Sequence, residues 1–226
     1  MLEKITQITG KEKGPTSMIL VGVHGNEKCG IKALKKILPK LKIEKGRVFL
    51  GFGNPRAIEK NKRFTQANLN RMFKADKFLS GNEKKSYEYK RAQFLKKYMG
   101  QVDALLDIHA SSIPKSRAFI ICENDANKIA QYLPTNLVVS GFNEIEPGGT
   151  DSCMKNFGKI GIAIECGYLA GPKSEKVARE SIFAFLKAQG HIKNDLPPRR
   201  QKNVRMYYLH LTKTNDFTLT KPFKKF

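Results

Sequence analysis

The chain has 226 residues, enough for one domain with a sizeable core and a small appendage, and its hydrophobic fraction of 40% is that of an ordinary globular protein. Forty-two lysines and arginines against 20 acidic residues give a formal charge of +22, a field that draws in anions of any kind. The basic residues are spread over nearly every segment without a nucleic-acid-binding motif, no apolar run reaches membrane-spanning length, and Met1-Leu-Glu-Lys-Ile lacks the layout of a secretion signal. Nucleic acid as the primary ligand and a membrane are therefore not expected. The four cysteines, Cys29, Cys122, Cys153 and Cys166, include no Cys-x-x-Cys pair, which points to reduced thiols and a cytoplasmic protein rather than a disulfide scaffold or a zinc ribbon.

In chain order, Met1 to Ser17 reads as an irregular or edge segment leading into the apolar run Met18-Ile-Leu-Val-Gly-Val, a buried strand that ends at the turn His24-Gly-Asn-Glu27. Ile31, Leu34, Ile37 and Leu38 recur at helical spacing up to Pro39. A second strand, Arg47-Val-Phe-Leu-Gly-Phe, breaks at Gly53-Asn-Pro55. The polar run from Arg56 to Arg71 has no clean period and reads as a loop with at most a short helix, the kind of segment in which binding residues concentrate. Glu83 to Met99 predicts a helix with an apolar stripe of Tyr87, Phe94, Leu95 and Tyr98.

Val102 to His109 repeats the opening design, a strand ending in histidine. Further strands are predicted at Arg117 to Cys122 and Asn136 to Ser140, with a helix at Asp125 to Leu133 between them and a Gly-rich acidic loop at Glu144 to Asp151 after them. The run Ile160-Gly-Ile-Ala-Ile ends in Glu165, and Pro172 opens a last helix that closes at Gly190. His191 to Arg200 reads as a linker, and Asn203 to Leu211 as one strand without visible partners.

Alternating strands and helices imply an α/β fold, a mixed, largely parallel sheet with helices on both faces. Parallel neighbours would bring His24, His109 and Glu165 to one edge of that sheet, where open α/β folds bind ligands. His24 and Glu27 make a partial zinc site, which needs a third ligand. His109 or Glu165 taken singly is equally well an ordinary polar residue at a strand end. The convergence of all four, beside an arginine-containing loop, favours a site.

The motifs His24-Gly-Asn-Glu27, Asn54-Pro-Arg-Ala57, the Arg63 that precedes Asn68-Leu-Asn70-Arg71-Met-Phe, Asp107-Ile-His109 and Ile164-Glu165-Cys-Gly167 resemble, in order and spacing, the succinylglutamate desuccinylase and aspartoacylase family, which is related to the zinc carboxypeptidases. The resemblance covers Met18 to Gly190. It implies a carboxypeptidase-like fold in which His24, Glu27 and His109 hold one Zn2+ with a coordination position left for water. It further implies that Glu165 takes the proton of that water, Arg63 stabilises the oxyanion, and Asn70 and Arg71 clamp a substrate carboxylate. The implied reaction is hydrolysis of an N-acyl amino acid to a carboxylate and a free amino acid.

Two features depart from the family. Asn68 stands where many members carry an aspartate, which removes a charge that could orient a neighbouring arginine. Members also continue with a further β domain, so residues 1–190 are expected to be the catalytic domain and 191–226 a linker with a truncated C-terminal β segment, which belongs to a short form or docks on the main sheet or on another chain. A zinc carboxypeptidase acting on a peptide or peptidoglycan-like substrate, and a non-catalytic basic module for an anionic partner, are the alternatives. A homo-oligomer stays open.

Overall fold

In the structure, a computed structural model that describes residues 3–205, the apolar run at Met18 is the middle of a sheet. Eight strands, β1 (Thr6–Thr9), β2 (Glu12–Val21), β3 (Lys45–Phe52), β4 (Ala104–Ser111), β5 (Ala118–Ile121), β6 (Leu137–Ser140), β7 (Ile160–Tyr168) and β8 (Lys202–Arg205), are ordered β1-β3-β2-β4-β7-β5-β6-β8. The central strands β3, β2, β4 and β7 are mutually parallel. Strand β1 is antiparallel to β3, and β5 to β7, while β6 and β8 continue parallel to β5. Helices α1 (Lys28–Ile37), α2 (Pro55–Glu59), α3 (Gly81–Lys85), α4 (Tyr87–Met99), α5 (Asn127–Ala130), α6 (Phe142–Ile145), α7 (Thr150–Asn156) and α8 (Ser174–Ala188), with four short 3-10 turns, complete the described elements. The expected mixed, largely parallel α/β sheet with helices on both faces is what forms.

Because side chains alternate along a strand, each central strand feeds two cores. Ile19, Val21, Leu106, Ile108, Ile162 and Ile164 pack with the apolar stripes of α1 and α8. Met18, Leu20 and Leu105 pack with Ala92, Leu95 and Met99 of α4 and with Cys153 and Met154 of α7. The continuous apolar runs follow from this burial on both faces. All four cysteines are unpaired and buried, and no helix among the described residues is long and apolar enough to cross a membrane.

Several boundaries differ from expectation. The segment before Met18 holds β1 and the first half of β2, which reaches back to Glu12 through a register shift before Thr16. The expected helix at Glu83 to Met99 is two helices, because the Ser86 side chain accepts from Tyr89 N at 3.1 Å and starts α4 afresh. Of the expected stripe on α4, Leu95 is buried and Phe94 and Tyr98 are partly buried against the core, while the fully buried face also takes in Glu88, Arg91, Ala92 and Met99. The helix expected at Asp125 to Leu133 shrinks to α5 preceded by a 3-10 turn, and the expected acidic loop overlaps the end of α6 and the start of α7. Helix α8 begins at Ser174, two residues after Pro172. The strand expected from Asn203 is β8 at the sheet edge, hydrogen-bonded to β6, and the remainder of that expectation, 206–211, lies outside the described residues.

Candidate metal centre and active site

Strands β2, β4 and β7 are adjacent and parallel, so their carboxyl ends share one edge. His24 lies in the turn three residues beyond the end of β2. Gly22 takes φ +65° there, and Gly25 crosses so close to α2 that a Cβ would sit 2.1 Å from the Ala57 carbonyl carbon. The next turn of chain delivers Glu27 at the foot of α1. His109 and Glu165 are register partners on β4 and β7, and with Asp107 they occupy the strand positions that alternate with Leu106, Ile108 and Ile164, so they face the α4 and α7 side. The nearest ligand atoms of His24, Glu27 and His109 all lie within 4.8 Å of one another, and all three residues are buried.

The hydrogen-bond chemistry of the two rings is unusual. His24 Nδ1 is 2.8 Å from Glu27 Oε1, and His109 Nδ1 is 3.0 Å from Glu27 Oε2. On the far side of each ring stands another acceptor: Asn68 Oδ1 is 3.0 Å from His24 Nε2, and Asp107 Oδ2 is 2.9 Å from His109 Nε2, though not aligned as a hydrogen bond. The Asn68 oxygen is identified by Asn70 N–H, which donates to it at 3.1 Å. Four ring nitrogens thus face four acceptors, whereas a neutral imidazole has only one N–H to give. A divalent cation between the two Nδ1 atoms and Glu27 would take the place of the missing protons, so the residues present fit a metal of the zinc type, which favours imidazole and carboxylate.

The electrostatics agree. Burial holds the His24 pKa below its ordinary value, against the pull of Glu27. Burial also works against a charge on His109, but Asp107 and Glu27 outweigh it and hold its pKa well above the ordinary value. For Glu27, burial is overcome by the two histidines, which keep the carboxyl far below the usual carboxylate range. Glu165 is different: burial pushes its carboxyl up to about 7, and its Oε2 is closed off from solvent with no hydrogen-bond partner among the described residues. A cation at the neighbouring triad would draw that pKa down again.

The loop of Arg63 to Arg71 is shaped by a residue that sequence reasoning missed. Glu88, buried on α4, accepts from Thr65 N at 2.7 Å, Thr65 Oγ1 at 2.6 Å, Gln66 N at 3.2 Å and Ala67 N at 3.2 Å. It also accepts from Asn54 Nδ2 at 3.2 Å, while Asn54 Oδ1 caps α2. Burial disfavours this carboxylate, yet the hydrogen bonds from Thr65, Asn54 and Ala67 hold its pKa below the usual value. Arg91 beside it donates to the carbonyls of Phe52 and Gly53, at 2.8 and 2.9 Å, and so secures the end of β3. A glutamate and an arginine within a helical run read as solvated residues, so no periodicity could have found them.

The loop brings Arg63 Nη1 to 3.1 Å from Glu27 Oε1, with its side chain half-exposed at the mouth of the site. The Asn68 side chain is on His24. Asn70 Oδ1 accepts from Thr150 N at 3.3 Å, and Thr150 Oγ1 donates to Asp107 at 2.7 Å, linking this loop to the support of His109. The Arg71 guanidinium is engaged by the carboxylate of Glu146, in the segment between α6 and α7, and by the Asn70 carbonyl at 2.7 Å. Asp107 lies in the Asp-Ile-His motif, and Glu146 and Thr150 in the Gly-rich acidic loop read from the sequence, but none of the three had been given a role of its own.

Among known proteins, the model of the succinylglutamate desuccinylase/aspartoacylase catalytic domain matches residues 13–189. The chain belongs to that family. A probable aspartoacylase of Trichodesmium erythraeum (strain IMS101) is 31% identical over 166 residues, 67% of this chain and 55% of that protein. The chain thus spans about half the length of such relatives. The product-bound ectoine utilization protein EutE (DoeB) of Ruegeria pomeroyi superposes with a TM-score of 0.73 at 20% identity, over 90% of this chain and 66% of that one. The tripeptide-bound cell shape determinant Csd4 of Helicobacter pylori gives 0.68 at 19% identity, over 87% and 58%. At these identities the two structures establish the shared fold alone.

Proposed function

We propose that the protein is a zinc-dependent amidohydrolase that cleaves an N-acyl amino acid into a carboxylate and a free amino acid, with His24, Glu27 and His109 as the zinc ligands. The observation that carries the reading is Glu165, whose carboxylate Oε2 has no hydrogen-bond partner among the described residues, next to the triad of Glu27 and two acceptor-flanked histidines. Bound there, zinc supplies Lewis acidity toward a carbonyl and toward water. Glu165 accepts the proton of the attacking water and returns it to the departing amine. Burial raises the proton affinity of Glu165 and a zinc ion beside it would lower it, so the two effects oppose each other at the group that has to take and return the proton.

Arg63, permanently charged and half-exposed beside Glu27, offers N–H donors to the oxygen on which negative charge develops. Asn70 and Arg71 take the substrate carboxylate. Arg71 already holds one carboxylate, that of Glu146, and a substrate would take the place of this exposed partner.

Glu165→Gln tests the reading. The variant is nearly isosteric and cannot take the proton, so kcat should fall by about 10² to 10⁴, while zinc content and Tm stay at parental values. Loss of zinc would make Glu165 a ligand, and full activity would end the proposed mechanism. Product analysis on N-acyl amino acids and short peptides, run in parallel, separates deacylation from carboxypeptidase activity.

A further inference from the structure

We infer that Asn68 is a positioning residue for His24, and that its neutral amide holds the zinc affinity of the site below what a carboxylate at the same place would give. The inference rests on the metal reading of His24, Glu27 and His109. It starts from an asymmetry between the two rings: His109 Nε2 has a carboxylate beside it, Asp107 Oδ2 at 2.9 Å in an ion pair not aligned as a hydrogen bond, whereas His24 Nε2 has an amide oxygen, Asn68 Oδ1 at 3.0 Å.

The role of the amide follows from its other contact. Asn68 Oδ1 accepts the backbone N–H of Asn70 at 3.1 Å, so the atom toward His24 is oxygen, and Nε2 has to donate to it. The proton is thereby kept on Nε2 and the lone pair on Nδ1, the nitrogen that faces Glu27. An acceptor behind a ligating histidine fixes its tautomer and orientation and raises its basicity, and an anionic acceptor raises it more than a neutral one. His24 is therefore the weaker donor of the pair. A weaker donor leaves more positive charge on the ion, at the expense of affinity.

The same oxygen also caps the 3-10 turn Leu69–Arg71, so a purely local role for Asn68 has to be separated from the one inferred. Two variants do so. Asn68→Asp keeps a side-chain cap of equal quality and places a carboxylate behind His24. Asn68→Ala removes cap and acceptor together. Zinc affinity, measured by competition with a chelator of known affinity, should tighten by about tenfold in Asn68→Asp and weaken by about 10- to 100-fold in Asn68→Ala. The visible spectrum of the Co2+-substituted protein should shift in Asn68→Asp with Tm unchanged.

A cap alone predicts lower stability in Asn68→Ala and no change of affinity in Asn68→Asp. That outcome, or weaker zinc binding in Asn68→Asp, overturns the inference and leaves the metal site standing. If Asn68→Ala does not fold, Asn68→Asp decides by itself. Wild-type protein that takes up no zinc would remove the metal reading and this inference together.

Discussion

Two groups of buried histidines stand at opposite edges of the same sheet. His191, at the amino-terminal edge, is fully buried, with Nδ1 2.8 Å from the Lys45 carbonyl and Nε2 2.8 Å from Ser17 Oγ. The carbonyl can only accept and the hydroxyl can donate, so a neutral imidazole satisfies both, and the ring closes the fold without needing anything further. His24 and His109, at the carboxyl-terminal edge, are as well buried but meet acceptors on both sides. The contrast teaches that burial and residue type do not distinguish a structural histidine from a metal ligand, whereas the balance of donors and acceptors around the ring does.

The strongest way to break the comparison is to delete a ring from each edge. His24→Ala or His109→Ala should empty the proposed zinc site and abolish the proposed hydrolysis, because two remaining ligands do not hold a catalytic ion. His191→Ala should retain about one zinc per chain. Metal analysis of the three purified proteins checks this, and zinc retained in both active-edge variants would reduce His24 and His109 to structural residues like His191.

A smaller effect sharpens the picture at the mouth of the site. Arg71→Lys keeps the charge and loses the two-pronged guanidinium, which should raise KM by on the order of tenfold. Glu146→Gln, which frees Arg71 from its internal carboxylate, should lower KM. Steady-state kinetics on one carboxylate-bearing substrate reads both, and unaltered KM in the pair would place Arg71 outside substrate contact.

The smallest effect belongs to His191. Burial holds its pKa below the ordinary 6.5, so the folded protein prefers the neutral ring and the unfolded chain binds the proton more readily. Stability from this preference is present above pH 6.5 and is lost as pH falls toward the folded-state pKa. His191→Asn should cost about 1 to 2 kcal/mol at pH 7.5 from lost buried hydrogen bonds. The gap to the parent should narrow in urea melts at pH 5.5, and a gap that widens instead would contradict a neutral buried ring.

Legibility differed between residues for physical reasons. His24, His109 and Glu165 could be read together, with Glu27 three residues after His24, because three apolar runs end in a titratable side chain, although each of these residues alone is equally well an ordinary strand end. Glu88 could not, since its partners Thr65, Gln66 and Ala67 are more than twenty residues away and a helical glutamate looks like a solvated one. Asn68 was visible as a departure from the family, but its contact with His24, 44 residues away in the chain, was not.

The sequence by itself determined the alternation of strands and helices, the burial of the central strands on both faces, and the order in which the chemically active residues follow one another. These are properties of periodicity and local spacing, which each segment carries alone. Only the tertiary structure decided that β5 runs against β7, that β8 returns to the sheet beside β6, and that the Arg63 to Arg71 loop folds around Glu88. It also decided which acceptor stands behind each histidine ring. Those outcomes depend on hydrogen bonds between residues far apart in the chain, and a donor carries no mark of its acceptor until folding brings the two together.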